Sequence, residues 1–435
     1  MYLEGVKDIY SDVSFDKTYF LSIYTKYTLC SSQIIDNPTD KPPILQKSNN
    51  DSAELTFIVP NRGDFVKSIF LNMTLSGPNP YQPVNSNVIA LTGACPYYMF
   101  HHFDLYISGV LVERLLPDMI HLELSLNHYD KQIENFKNFC GEFFQVSDSY
   151  ATSKNRSFFL PLPFYFFKKF SLSPPLSGKY EVMIKATMKG LHNITVYNDE
   201  TIDFFNPTVI DAMNNIKLEK ISMPVEYFFV EPSLKKLFDE RELIYTISQT
   251  QSIRKDIGVS NSTVVRSFFF NPVKELFFIV GDSNIYSESS QSSFKNQYLQ
   301  HSNTEKTSGP GSLHHLNNLS ITFDTLEYLP SNIGTYLFLN QIQTLNYHMN
   351  PLDPSTSKPS NYVYNYSFCL DPSGSQPTGS TNFSSIKDQL FTFNLFDYTK
   401  PRTIFIYAKS INILYLKDGK ADLVFDNASF NNQTY

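Results

Sequence analysis

The chain contains no tryptophan, and charged residues fill only 18% of its 435 positions. So few charges exclude a molecule built from long solvated helices. The balance of sign is acidic, with 35 Lys and Arg against 42 Asp and Glu and a net charge of -7. No basic field gathers nucleic acid, so no direct nucleic-acid contact is expected. Cysteine is scarce and scattered: Cys30, Cys95, Cys140 and Cys369 form no Cys-x-x-Cys unit. They read as buried free thiols rather than a disulfide framework or a metal site. Long apolar runs are also missing. The longest block, Phe158 to Phe167, holds Pro161 and Pro163 and stops at Lys168-Lys169, far short of the ~20 residues that cross a bilayer. Met1 to Asp8 shows no basic region followed by an apolar core; this reads as no secretory signal and, with free thiols, fits a reducing cytoplasm.

Catalytic signatures are equally absent. No Gly-x-x-x-x-Gly-Lys-Ser/Thr, Gly-x-Gly-x-x-Gly, Gly-x-Ser-x-Gly or His-x-x-x-His occurs, so the loops and paired ligands of phosphate, dinucleotide, acyl-transfer and zinc chemistry find no match. Adjacent His101 and His102 on a strand point to opposite faces and cannot grip one ion. His314-His315 sits in a polar stretch and reads as a solvated pair, and Asp104, Glu181 and Glu226 alternate with apolar neighbours as solvent-facing strand positions. No cofactor, metal or catalytic residue is expected.

What the chain has is aromatic residues, 38 Phe and 28 Tyr, which suit pleated, half-buried strands. Leu55, Phe57 and Val59 alternate before the turn Pro60 to Asp64, and Phe103 to Ile107 meets Ser108-Gly109 and returns through Val110 to Val112 as a hairpin. Val182, Ile184, Ala186 and Met188 line one face of another strand. Ile133, Phe136 and Phe139 recur every three residues and predict a short helix over Asp130 to Phe139. In Phe158 to Phe167 the two prolines cannot donate to a ladder. Leu160, Pro161, Pro163 and Phe164 therefore belong to an edge or arm, either as a contact surface or as the seal at the end of a barrel. The pattern weakens from Asn206 to Lys220, and a second cycle opens at Val225 to Val230. Pro232 starts a helix with Leu234, Leu237 and Phe238 on one face. Strand-like runs follow at Leu243 to Ile247, Val264 to Phe270 and Glu275 to Val280, and Leu337 to Leu339 restores the core pattern after a polar gap. The pattern reads as all-β: two antiparallel sandwiches or jelly rolls of about 200 residues each, with short helices and long loop insertions, although an all-β domain can also run to this length as one unit. An N-terminal arm spans 1–18, the first roll 19–215 and the second 216–435, with surface loops at 283–318 and 350–361.

The most specific stretch is Phe368-Cys369-Leu370-Asp371-Pro372, followed by Gln376-Pro377-Thr378-Gly379-Ser380-Thr381-Asn382-Phe383-Ser384-Ser385-Ile386. In it Pro377 sets a turn, Gly379 allows positive φ, and Asn382 and Ser384 hydrogen-bond the backbone; Asp418-Gly419 suits a tight hairpin before the last strand. The stretch resembles the signature of the major capsid proteins of nucleocytoplasmic large DNA viruses. Leu160 to Phe164, Asn271 to Leu276 and Ile404 to Ala408 are similar to other segments of that family, in the same order. Departures include Phe277-Phe278 where the family often has Trp, and Ser385 where it has Arg.

The resemblance marks Phe368, Pro372, Gln376, Pro377, Gly379, Asn382, Phe383 and Ser384 as a structural motif. It implies two consecutive eight-stranded antiparallel jelly rolls, their barrels side by side in each chain, and a homotrimer closing into a pseudo-hexagonal capsomer. Such capsomers tile an icosahedral shell of the virion, with minor capsid and penton proteins as neighbours and often an internal membrane beneath, after synthesis in the host cytoplasm. Two rivals stand beside it: an assembly scaffold of the same fold, and a double jelly-roll glycan-processing enzyme, which needs carboxylates gathered in a cleft.

Overall fold

The structure, a computed structural model, describes residues 30–38, 53–76, 89–127, 155–167, 176–190, 193–197, 216–287, 295–303, 313–349, 361–374, 376–397 and 399–430. The expected arm over 1–18, the helix over Asp130 to Phe139, Cys140 and all of the 350–361 loop but its last residue lie outside the described residues.

In the first half the chain runs through β1 (Cys30–Ile35), β2 (Glu54–Ile58), β3 (Phe65–Ser76), β4 (Ile89–Leu91), α1 (Cys95–Tyr98), β5 (Phe100–Ile107), β6 (Val110–Leu115) and α2 (Pro117–Leu126). It continues through β7 (Asn155–Leu162), β8 (Leu176–Ser177), β9 (Val182–Met188), β10 (Thr195–Tyr197), β11 (Lys217–Ser222) and β12 (Val225–Val230). Two sheets of order β1-β12-β3-β11 and β2-β9-β5-β6 form the first roll; β7 and β8 pair with β3, and β4 with β10. All these pairings are antiparallel. β9 shows why: Val182, Ile184, Ala186 and Met188 are buried while the residues between them are half-buried, the period of a strand with one face on a core.

The second half contains α3 (Pro232–Glu240), β13 (Leu243–Ile257), β14 (Ser262–Ser267), β15 (Pro272–Asp282), α4 (Ser283–Tyr286), β16 (Leu316–Phe323) and β17 (Leu326–Leu329). A π-helical turn, Phe338–Ile342, then runs into α5 (Gln343–Tyr347). It is followed by β18 (Tyr364–Ser367), β19 (Thr381–Asn382), β20 (Gln389–Leu395), β21 (Arg402–Lys417) and β22 (Lys420–Leu423). Sheets of order β13-β21-β15-β18 and β14-β20-β16-β17 face each other, with β19 on β15 and β22 on β21. Phe278, Val280, Ile404 and Ile406 meet Ile321, Phe391 and Phe393 between them.

β15 and β21 carry buried residues on nearly every position. Alternate residues face opposite ways: Phe278 and Val280 enter the roll's own core, whereas Phe277, Ile279, Phe405 and Tyr407 pack on Leu116, Met119, Leu122 and Leu126 at α2. This sheet is a middle layer, and its continuous apolar run follows from having both faces covered.

Several sequence expectations change. β12 pairs with β1 and β3, so residues 217–230 belong to the first roll and the boundary falls at α3 instead of near 215. The 283–318 segment is not a uniform surface loop: Lys295, Asn296, Tyr298, His301 and Asn303 are buried, and β16 begins at Leu316. Its polar residues bond inward instead of to water; Asn296 Nδ2 donates to Thr195 O at 2.8 Å and Tyr298 Oη to Asn193 O at 2.9 Å. His314 and His315 are buried, His314 among the rings of Tyr336, Tyr362 and Tyr364, and burial lowers the His314 pKa to about 4 and that of His315 to about 3. Asp104 is buried as well, because Arg114 on the neighbouring strand grips both its oxygens at 2.6 Å. Glu181 is exposed and Glu226 half-buried. Cys95 and Cys369 are buried thiols, but Cys30 is exposed on edge strand β1. The apolar face of α3 stays near the surface, with Leu237 exposed and only Phe238 anchored, its ring 5.2 Å from that of Phe65. Of Leu337 to Leu339, only Leu339 is fully buried, and Leu337 is exposed.

Candidate functional site

The two rolls meet along a seam organised by α2. Pro117 occupies its first turn, where no backbone donor is lost. Asp118 follows in the same turn, where the helix dipole favours a carboxylate. It accepts the Tyr98 hydroxyl from the first roll at 2.6 Å and the Tyr407 hydroxyl from the second at 2.5 Å. One turn on, Glu123 receives Lys409 Nζ at 2.8 Å. Burial works against the Lys409 ammonium, yet the carboxylates of Glu123, Glu275 and Glu113 together outweigh it and the Lys409 pKa is raised.

Amides close the other end. Gln249 Nε2 donates to Val112 O at 2.7 Å and to Asn427 Oδ1 at 3.0 Å; its Oε1 accepts from Asn412 Nδ2 at 2.9 Å and from the Ala428 N–H at 3.1 Å. Asn427 Nδ2 reaches Leu111 O at 2.6 Å. One buried glutamine therefore ties β13, β21 and the C-terminal segment to β6. The apolar core is continuous across the seam too, since Leu243, Tyr245, Leu414 and Leu416 share a cluster with Phe57, Leu105 and Leu162.

The signature residues divide by role. Phe383 is fully buried, its ring 5.1 Å from that of Phe323 and 5.7 Å from that of half-buried Phe368. Asn382 Oδ1 accepts the Ser384 N–H at 3.1 Å, and Ser384 Oγ accepts the Asn271 N–H at 2.8 Å, so the motif clamps the start of β15. Pro372 is buried, whereas Gln376, Pro377 and Gly379 are exposed. Gly379 has φ 136°, and a side chain there would lie 3.3 Å from Phe368 O. Thr378 Oγ1 accepts the Asp371 N–H at 2.8 Å, and Asp371 Oδ1 caps the N–H groups of Ser373 and Gly374. The loop closes a small cavity of about 40 Å³, lined also by Glu113, Glu123 and Tyr165 of the first roll and Lys274 and Lys409 of the second.

Asp418 and Gly419, with φ 50° and 76°, form the two-residue turn between β21 and β22. Ser108 Oγ donates to Gly419 O at 2.6 Å, so this turn touches the Ser108-Gly109 turn of the first roll. β7 is an edge strand on β3, but the proposed contact segment is largely internal. Leu160, Pro163 and Phe164 are buried and Pro161 half-buried, because the strand's inward positions fill the first core; Phe159 is the exposed aromatic. Sequence reasoning missed α2, Asp118 and Gln249. The only advance signal for α2 was Leu116-Pro117-Asp118, a helix start ahead of Met119, Ile120, Leu122 and Leu126.

Among the described residues no group of three or more His, Cys, Asp or Glu is placed to hold a metal ion. No helix among them is long and apolar enough to cross a membrane.

Comparison with known proteins agrees with this architecture. The chain is 22% identical over 431 residues to the major capsid protein of Pyramimonas orientalis virus, covering 97% of each chain. To that of Paramecium bursaria Chlorella virus 1 it is 21% identical over 474 residues, covering 97% of this chain and 98% of the relative. It superposes on a chain of the PBCV-1 virus capsid with a TM-score of 0.70 at 17% identity, over 94% of this chain and all of the other. Residues 18–231 match the family model for the major capsid protein N-terminus, and residues 235–421 match that for the large eukaryotic DNA virus major capsid protein. With both rolls matched, the chain belongs to the major capsid protein family of large eukaryotic DNA viruses, whose members are structural proteins of the capsid.

Proposed function

We propose that three copies of this chain close into a pseudo-hexagonal capsomer, which tiles an icosahedral shell beside minor capsid and penton proteins, over an internal membrane where one is present. The observation that carries this is the seam. Two similar rolls, held side by side by a shared apolar core and the Asp118, Glu123 and Gln249 bonds, act as one block. Threefold closure of such a block presents six similar columns. Catalysis has no part in this reading: among the described residues the buried acids Asp104, Glu113, Glu275 and Asp282 have partners in Arg114, the Tyr165 N–H, His348 and the Asn284 N–H.

Solution mass tests it directly. One chain weighs 50.0 kDa, so the trimer runs at about 150 kDa; a monomer under every assembly condition refutes the capsomer. Finding the chain in mature particles separates a shell protein from a shed scaffold.

A further inference from the structure

A cleft of about 700 Å³ opens between the rolls, away from the signature loop. Its size suits a small organic ligand. Where the rolls meet, first-roll Lys189 Nζ lies 4.8 Å from the ring centroid of Tyr298, a residue of the second half, and 5.9 Å from that of first-roll Tyr98. Those rings are stacked 4.6 Å apart. The position over their faces holds the ammonium by cation–π attraction. Among the described residues no acceptor hydrogen-bonds it: the nearby Asp118 already takes two tyrosine hydroxyls, one on each oxygen. Burial lowers the Lys189 pKa to about 8, which leaves the group charged at pH 7.

The aromatic wall continues along the second roll, where the Tyr286 ring centroid lies 6.2 Å from that of Tyr298. Arg254 lies 5.9 Å from the Tyr286 ring centroid and 5.8 Å from that of Phe405, and its Nε donates to Asp256 Oδ1 at 3.2 Å. The cleft thus offers the uncommitted donors of Lys189, a second cation and an aromatic wall. Asp118 and Asp256 offset the two cations, which disfavours a polyanion and leaves the Lys189 donors as the point of attachment for one acceptor group.

We infer that this inter-roll cleft binds a small organic monoanion, its carboxylate head on Lys189 and toward Arg254, its apolar body against Tyr286 and Phe405. The inference does not depend on trimer assembly.

The test is isothermal titration calorimetry of the full chain at pH 7 with 4-phenylbutyrate, acetate and 4-phenylbutanol, which separate the whole ligand from its head and its body. Saturable one-to-one binding of 4-phenylbutyrate is expected, with acetate and the alcohol each at least about tenfold weaker. Lys189→Met weakens binding about tenfold or more, Lys189→Arg restores most of it, and Lys185→Met, which removes a surface lysine paired with Glu54, leaves it unchanged. Should Lys189→Met fail to fold, Arg254→Gln carries the same expectation. No saturable binding, equal affinity for the alcohol, or parent affinity in the cleft variants overturns the inference.

Discussion

Replacing Gln249 by alanine probes the seam at its most concentrated point. The side chain is fully buried and makes four hydrogen bonds, to Val112 O, Asn427 Oδ1, Asn412 Nδ2 and the Ala428 N–H. Each such bond contributes about 0.5–1.5 kcal/mol net, and groups left buried without partners raise the cost of its loss. The four share one network and do not add fully. A destabilisation of about 3–5 kcal/mol follows, a large part of the ~5–15 kcal/mol that holds a folded protein together. With 28 Tyr and no Trp, tyrosine emission reports urea unfolding directly. Lys236→Ala is the control: its pair with Glu240 spans 3.7 Å between largely exposed side chains, and its loss stays within ~0.5 kcal/mol. If Gln249→Ala lies within about 1 kcal/mol of the parent, the amide network does not hold the seam.

Other expectations follow from the same structure. Phe278→Ala empties a fully buried ring site between the sheets of the second roll and costs about 3–5 kcal/mol in the same assay. Gly379→Ala places a side chain at φ 136° against the Phe368 carbonyl; a loss of about 1–3 kcal/mol is expected, and protease nicking near Gln376 reports the opened loop. Acid sensitivity should begin near pH 6.5. Burial lowers the pKa of His301 and His315 to about 3 and of His314 to about 4, from an ordinary 6.5. The unfolded chain therefore binds protons first as pH falls, and each histidine removes up to about 1.4 kcal/mol per pH unit until its folded pKa is reached. Below 3.8 the Asp64 contribution is lost as well, because its bond to Lys235 holds its pKa down. Melting temperatures that stay flat between pH 7 and 4.5 would refute the histidine assignment.

The predicted turns at Ser108-Gly109 and Asp418-Gly419 both adopt positive φ. Each is encoded within a few residues, by a flexible pair between two alternating runs. Alternation likewise revealed the buried face of β9, which packs on the core with one face only. Within the signature stretch the Asn382 turn is local, its side chain accepting the N–H two residues on, whereas Ser384 accepts the Asn271 N–H from 113 residues away. What spacing could not reveal is which polar residues find partners. Asp104 and His314 look solvent-facing in a linear reading, and both are buried once Arg114 and the rings of Tyr336, Tyr362 and Tyr364 arrive from elsewhere in the chain.

Local sequence alone determined the all-β character and the turns, because these rest on side-chain period and on residues tolerant of positive φ, while the double roll followed from the family signature. Only the tertiary structure decided that 217–230 belongs to the first roll, that α2 covers the outer face of β15 and β21, and that Gln249 and Asp118 join the rolls. The physical reason is distance along the chain. Asp118 and Tyr407 are 289 residues apart in sequence and 2.5 Å apart in space, and no local pattern encodes a partner chosen by how two barrels pack.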